Sequence, residues 1–153
     1  MLNTTLVYIE KDEAYLMLLR NKKKNDLNEG KWIGVGGKFE ENETPEECML
    51  REVYEETGLT LTDYQYRAVI TFLSDQWEGE YMHLFTATDF TGDLKECDEG
   101  ELRWIPKSQI MDLNLWPGDR LFFEKLFEGV GFFTMKLRYR GDDLVEHTYK
   151  AYT

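Results

Sequence analysis

The chain has 153 residues, 18 Lys and Arg against 30 Asp and Glu, and a formal net charge of -12. That length suits one domain, read here as residues 1–153, with 42% hydrophobic residues to build its core. An acidic surface repels a polyanion, so a nucleic-acid polymer is excluded as partner, whereas a small anion can still meet a local cation or a bound metal. No stretch approaches the roughly 18 apolar residues of a membrane span. Cys48 and Cys97 form neither a CxxC pair nor a zinc spacing. With no secretory signal at the N-terminus, the expected setting is the reducing cytoplasm.

In chain order, Thr5 to Glu10 and Ala14 to Arg20 read as two strands joined by the Lys11-Asp12-Glu13 turn. A polar loop, Asn21 to Gly30, follows. Its Lys22-Lys23-Lys24 run reads first as solvated. The segment W-I-G-V-G-G-K, 32 to 38, is rich in glycine, which marks close backbone approach or special dihedrals. Thr44 to Thr57 predicts a helix: Thr44 is the N-cap, Pro45 the first helical residue, Glu47 completes a capping box and Gly58 stops it. Tyr64 to Leu73 and Tyr81 to Phe90 read as long strands, and Leu102 to Ile105 as a short one. Pro117 to Glu128 predicts a second helix. Phe132 to Arg140 and Leu144 to Tyr149 read as a hairpin across Gly141-Asp142. The sum is a mixed sheet with two helices, an α/β or α+β domain.

The chemistry concentrates on the first helix. At 100° per residue, Glu52, Glu55 and Glu56 fall within an arc of roughly 100°, while Met49, Leu50, Val53 and Tyr54 take another side. A solvated acidic face is the plain explanation. Against it, the carboxylates repel one another and stand toward the C-terminal half, where the helix dipole disfavours anions. A hard divalent cation, Mg²⁺ or Mn²⁺, removes both penalties. Just before the helix, Gly34, Gly36 and Gly37 let the backbone approach a ligand and Lys38 adds positive charge. A metal on the carboxylates that also meets phosphate oxygens points to phosphoanhydride chemistry.

Residues 37 to 59, GKFEENETPEECMLREVYEETGL, resemble the Nudix box, G-x5-E-x7-R-E-U-x-E-E-x-G-U, with U a bulky aliphatic residue. Gly37, Glu43, Arg51, Glu52, Val53, Glu55, Glu56, Gly58 and Leu59 fill every defined position. The resemblance implies an α/β/α sandwich with a mixed sheet, and hydrolysis of a nucleoside diphosphate linked to another group. It implies Glu52, Glu55 and Glu56 as metal ligands, a carbonyl of Gly36 or Gly37 as a further one, Arg51 as the group that orients the carboxylates, and Glu43 as support for loop and helix.

Within the family the chain is similar to the MutT-like, oxidised-purine nucleoside triphosphatases. The matching pieces are W-I-G-V-G-G-K, E-C-D-E-G-E-L-R-W (96 to 104) and W-P-G-D (116 to 119). This resemblance implies that Trp116 stacks on a purine and that Asp119 bonds its edge. Each has a plainer alternative: a core tryptophan before a helix, and acidic charge in a first helical turn. Glu99 matches a late glutamate that joins the metal site or acts as base, with Asp98 and Glu101 as rivals. Lys23 aligns with a substrate-side lysine, against its reading as solvated.

The implied reaction is Mg²⁺-dependent hydrolysis of purine nucleoside triphosphates such as 8-oxo-dGTP to monophosphate and pyrophosphate, with Glu55 or Glu99 as base. The expected partner is this small nucleotide, and the chain is expected as monomer or homodimer. Ile33 and Gly118 depart from the subgroup, whose mammalian member has an asparagine and an acidic residue there, both on the base. That puts selectivity for the oxidised base in question. Two rivals remain: another nucleoside diphosphate derivative as substrate, and a non-catalytic, nucleotide-sensing domain. His83 and His147 show no catalytic spacing.

Overall fold

A computed structural model describes residues 1–22 and 24–152. The first hairpin joins β1 (Leu2–Lys11) to β2 (Ala14–Leu19). Its two-residue turn places Asp12 and Glu13 at φ 51° and 62°, and Lys11 pairs with Ala14. Left-handed dihedrals at both turn residues match the twist of the flanking strands. Next come the short β3 (Trp32–Ile33) and helix α1 (Pro45–Thr57). α1 starts as its sequence dictates. The Thr44 side chain accepts from the Glu47 amide, the Glu47 side chain accepts from the Thr44 amide, and Gly58 ends the helix at φ 79°.

Strands β4 (Thr60–Ser74), β5 (Glu80–Thr91) and β6 (Glu101–Pro106) lead into a 3-10 segment, Lys107–Asp112. Helix α2 (Pro117–Phe127) and the hairpin of β7 (Phe133–Arg140) and β8 (Asp143–Ala151) complete the chain. β4 begins four residues before the expected Tyr64, and the 3-10 segment carries no sequence signature of its own.

Among the described residues the strands follow the order β3-β2-β1-β5-β4-β7-β8, with β6 beside β2. β1 runs parallel to β5, β4 runs parallel to β7, and the other pairs are antiparallel. The sheet is therefore mixed and the class α/β.

Strand alternation sends side chains to two faces. Val7 and Ile9, with Leu16 and Leu18, pack with Met49 and Val53 of α1. Tyr8, Tyr15 and Met17 point the other way and pack with Phe122, Phe123 and Leu126 of α2. The core thus lies in two slabs, one under each helix. Tyr54 departs from the expected apolar flank of α1: it is exposed, and Cys48 takes a place in the buried set instead.

Candidate active site

α1 turns Glu52 and Glu56 toward the 34–38 segment, which is strung along β1 by bridges from Val7 to Val35 and from Thr4 to Lys38. The glycines there are required by space. A Cβ on Gly37 would lie 2.5 Å from the Glu52 carboxyl carbon. Gly36 has φ +145°, and a Cβ on it would lie 2.0 Å from the Thr5 carbonyl oxygen. Without side chains, the backbone reaches the glutamates directly. The Gly36 amide donates to Glu56 Oε2 at 2.8 Å, while the Gly37 carbonyl accepts the Thr5 amide at 2.8 Å.

Glu56 is 8% exposed. Burial pushes its carboxyl well above the usual range, and a hydrogen bond with Glu99 raises it further. Burial also raises Glu52, against the pull of Arg51. Arg51 organises this face. Its Nε and Nη2 fork onto Glu43 at 2.7 and 2.9 Å, its Nη1 meets Glu52 at 2.8 Å and Glu55 at 3.2 Å, and its Nη2 donates to the Lys38 carbonyl at 3.1 Å. The fork holds the Glu43 carboxyl down at about 2. Glu55 is the outlying member, with over half of its side chain exposed.

Glu99 arrives from the loop before β6. Arg20 at the end of β2 meets it at 3.3 Å and Asp26 at 3.0 Å. Ligand atoms of Glu56, Cys97 and Glu99 lie within 4.8 Å of one another. Converging carboxylate oxygens, one of them buried and forced up in pKa beside a second carboxylate, fit a divalent cation, whose charge would replace the shared proton.

One cleft of about 620 Å³ connects this cluster with the α2 end of the sheet. Arg20, Gly36, Gly37, Lys38, Glu52 and Glu99 line one part of it; Ile33, Phe72, Trp116, Asp119 and Tyr139 line another. Trp116 is the residue just before α2. Its Nε1 donates to Asn28 Oδ1 at 2.8 Å, its ring meets Phe72 and Tyr139 edge-on, and Lys31 Nζ sits 4.9 Å from its centroid. Asp119 is 6% exposed, and burial raises its carboxyl to about 8 despite Arg120 and Lys31. The Gly118 amide donates to the Tyr139 hydroxyl at 2.8 Å. A Cβ on Gly118 would come within 2.6 Å of that hydroxyl and of Leu137, so Tyr139 occupies the room a side chain there would need.

Of the expected site residues, Gly36, Gly37, Lys38, Glu52, Glu99, Trp116 and Asp119 thus share one cleft, and Glu56 lies against its Gly36 wall. Arg51 and Glu55 stand behind them on α1. Lys23 lies outside the described residues. Sequence reasoning missed Arg20, Asn28, Phe72, Cys97 and Tyr139. Arg20, Asn28, Phe72 and Tyr139 sit in no motif that names a role and reach the cleft only through strand pairing and loop closure, while Cys97, inside the 96–104 piece, stands beside Glu56 and Glu99. His83 is a structural residue, held between the Tyr66 hydroxyl and Asn3 Oδ1.

The NUDIX domain profile matches residues 2–126. The uncharacterized Nudix hydrolase YvcI of Bacillus subtilis (strain 168) is 30% identical over 128 residues, spanning 80% of this chain and 77% of that protein. The oxidized purine nucleoside triphosphate hydrolase of Danio rerio is 32% identical over 135 residues, spanning 85% and 84%. The mutator MutT protein from Bacillus halodurans superposes with a TM-score of 0.86 over 97% of each chain, at 23% identity. Profile, relatives and fold agree over most of the length, and the chain belongs to the Nudix hydrolase family.

Proposed function

We propose that this chain hydrolyses purine nucleoside triphosphates to the monophosphate and pyrophosphate with Mg²⁺, for which Mn²⁺ substitutes. The observation that carries the reading is the single cleft: carboxylates, glycines and Lys38 in one part, Trp116 and Asp119 in another. Nudix hydrolases act with divalent metals, and the relative from Danio rerio is named for oxidised purine triphosphates.

Glu52, Glu56 and Glu99 are the residues we assign to hold the metal, with Glu55 as the outer carboxylate of the set. Of the two glycine carbonyls, Gly37 accepts from Thr5, which favours Gly36 as the additional ligand. When bound, Mg²⁺ supplies charge neutralisation to the phosphates and a lowered pKa to the attacking water. Glu99 lines the cleft and Glu55 is largely exposed, which favours Glu99 as the residue that takes the water's proton. Arg51 fixes the glutamates without touching substrate. Lys38 attracts the polyphosphate. Trp116 offers an aromatic wall to the base, and Asp119, kept protonated by burial at neutral pH, donates to its edge. The whole of 1–153 acts as one domain in this reading.

Gly118 and Ile33 remove two polar contacts that the resembling subgroup places on the base. The expected outcome is therefore a modest preference for 8-oxo-dGTP over dGTP. Pyrophosphate release from dGTP, 8-oxo-dGTP and 2-hydroxy-dATP, side by side with Mg²⁺ and Mn²⁺, tests the proposal. A clear preference for ADP-ribose or diadenosine polyphosphates over all three would overturn it.

A further inference from the structure

Cys97 places a sulfur beside Glu56 and Glu99, two carboxylates of the site. It is 3% exposed, and its Sγ and oxygens of Glu56 and Glu99 lie within 4.8 Å of one another. Burial pushes the Cys97 thiol up, against hydrogen bonds from the amides of Glu99 and Gly100, two and three residues on. Lys22 Nζ donates to the Cys97 carbonyl at 2.8 Å and ties this loop to the end of β2. Glu99 lines the main cleft, and Cys97 lines a second pocket with Lys22 and Glu96.

The donor types decide which ion fits. Hard cations of the Mg²⁺ class take oxygen and leave a thiol unused. Zinc takes sulfur at about 2.3 Å and carboxylate oxygen at about 2.0–2.2 Å, so tetrahedral ligand atoms stand about 3.5 Å apart. The ligand atoms of the cluster stand within 4.8 Å of one another, so binding requires them to draw together by about 1 Å.

We infer that Glu56, Cys97 and Glu99 form a mixed thiolate–carboxylate site for a soft divalent cation, Zn²⁺ or Cd²⁺. Binding sends the thiol proton, and any proton shared by the two carboxylates, to solvent. The site takes both carboxylates away from the hard ion of the proposed reaction, so a soft cation inhibits. That consequence rests on the proposed function; the binding itself does not.

The test is a CdCl₂ titration of the metal-stripped full chain, read by the ultraviolet sulfur-to-cadmium charge-transfer band. The wild type should show a saturating band. Cys97→Ser should lose it and Cys48→Ser should keep it. Glu99→Gln retains the thiol and should weaken Cd²⁺ binding on the order of tenfold or more. Circular dichroism checks the fold of each variant, and Glu99→Gln still decides if Cys97→Ser does not fold. No band in the wild type, an undiminished band in folded Cys97→Ser, or unchanged affinity in Glu99→Gln overturns the inference. A chain that turns over no nucleotide refutes the proposed function and leaves this titration intact.

Discussion

Replacing Asp119 by asparagine removes one titration and little volume. Asp119 is buried at the start of α2, and its carboxyl is raised from 3.8 to about 8, by burial first, with Arg120 and Lys31 opposing. The native protein therefore keeps a proton that the unfolded chain gives up once pH passes the ordinary aspartate value. Stability from this group is complete below pH 3.8 and is lost as pH rises toward about 8, where the native form ionises too. One proton corresponds to about 1.4 kcal/mol per pH unit. From the ordinary aspartate value to neutral pH that sums to about 4 kcal/mol at most. Favourable placement of an anion in the first helical turn returns about 0.3–1 kcal/mol of any charge that forms.

The Asp119→Asn side chain carries no charge at any pH. In urea unfolding from about pH 5 to about pH 8, the variant should lose stability more slowly than wild type, by up to about 1.4 kcal/mol per pH unit. At neutral pH it should be the more stable protein. Subtracting the two curves removes the contributions of Glu52, Glu56 and Glu80, which burial also raises. Parallel pH curves would refute the reasoning, since they mean that Asp119 titrates alike in both states. The same titration should appear in KM for a purine triphosphate, rising near pH 8 in wild type and flat in the variant.

Three further outcomes are expected. Glu56→Gln keeps the acceptor for the Gly36 amide, so its melting temperature should hold while Mg²⁺-dependent turnover falls more than about a hundredfold; near-normal turnover with saturating Mg²⁺ removes Glu56 from the metal site. Arg51→Lys breaks the two-pronged contact with Glu43 and the reach to Glu52, and should cost about 1–2 kcal/mol by urea unfolding. Gly118→Ala drives a methyl to 2.6 Å from the Tyr139 hydroxyl and Leu137, so thermal melting should report a loss of about 1–3 kcal/mol, and Tyr139→Phe in the same chain should recover part of it.

Short-range physics was fully written in the chain. α1 has its N-cap, capping box and stop glycine within 15 residues, Thr44 to Gly58, and each bond they make is local. The β1–β2 and β7–β8 hairpins follow from alternation and two-residue turns. Helical spacing alone puts Glu52, Glu55 and Glu56 on one side of α1. The tertiary structure alone decided what those residues meet. The parallel pairings of β1 with β5 and β4 with β7 join segments far apart in sequence, and they create the cleft. Arg20 reaches Glu99 across 79 positions, and Trp116 reaches Asn28 across 88. Such contacts depend on loop closure and on the shape of two packed slabs, which no local pattern encodes. The same packing set the raised carboxyl of Asp119, because burial is a property of the surroundings and not of the residue.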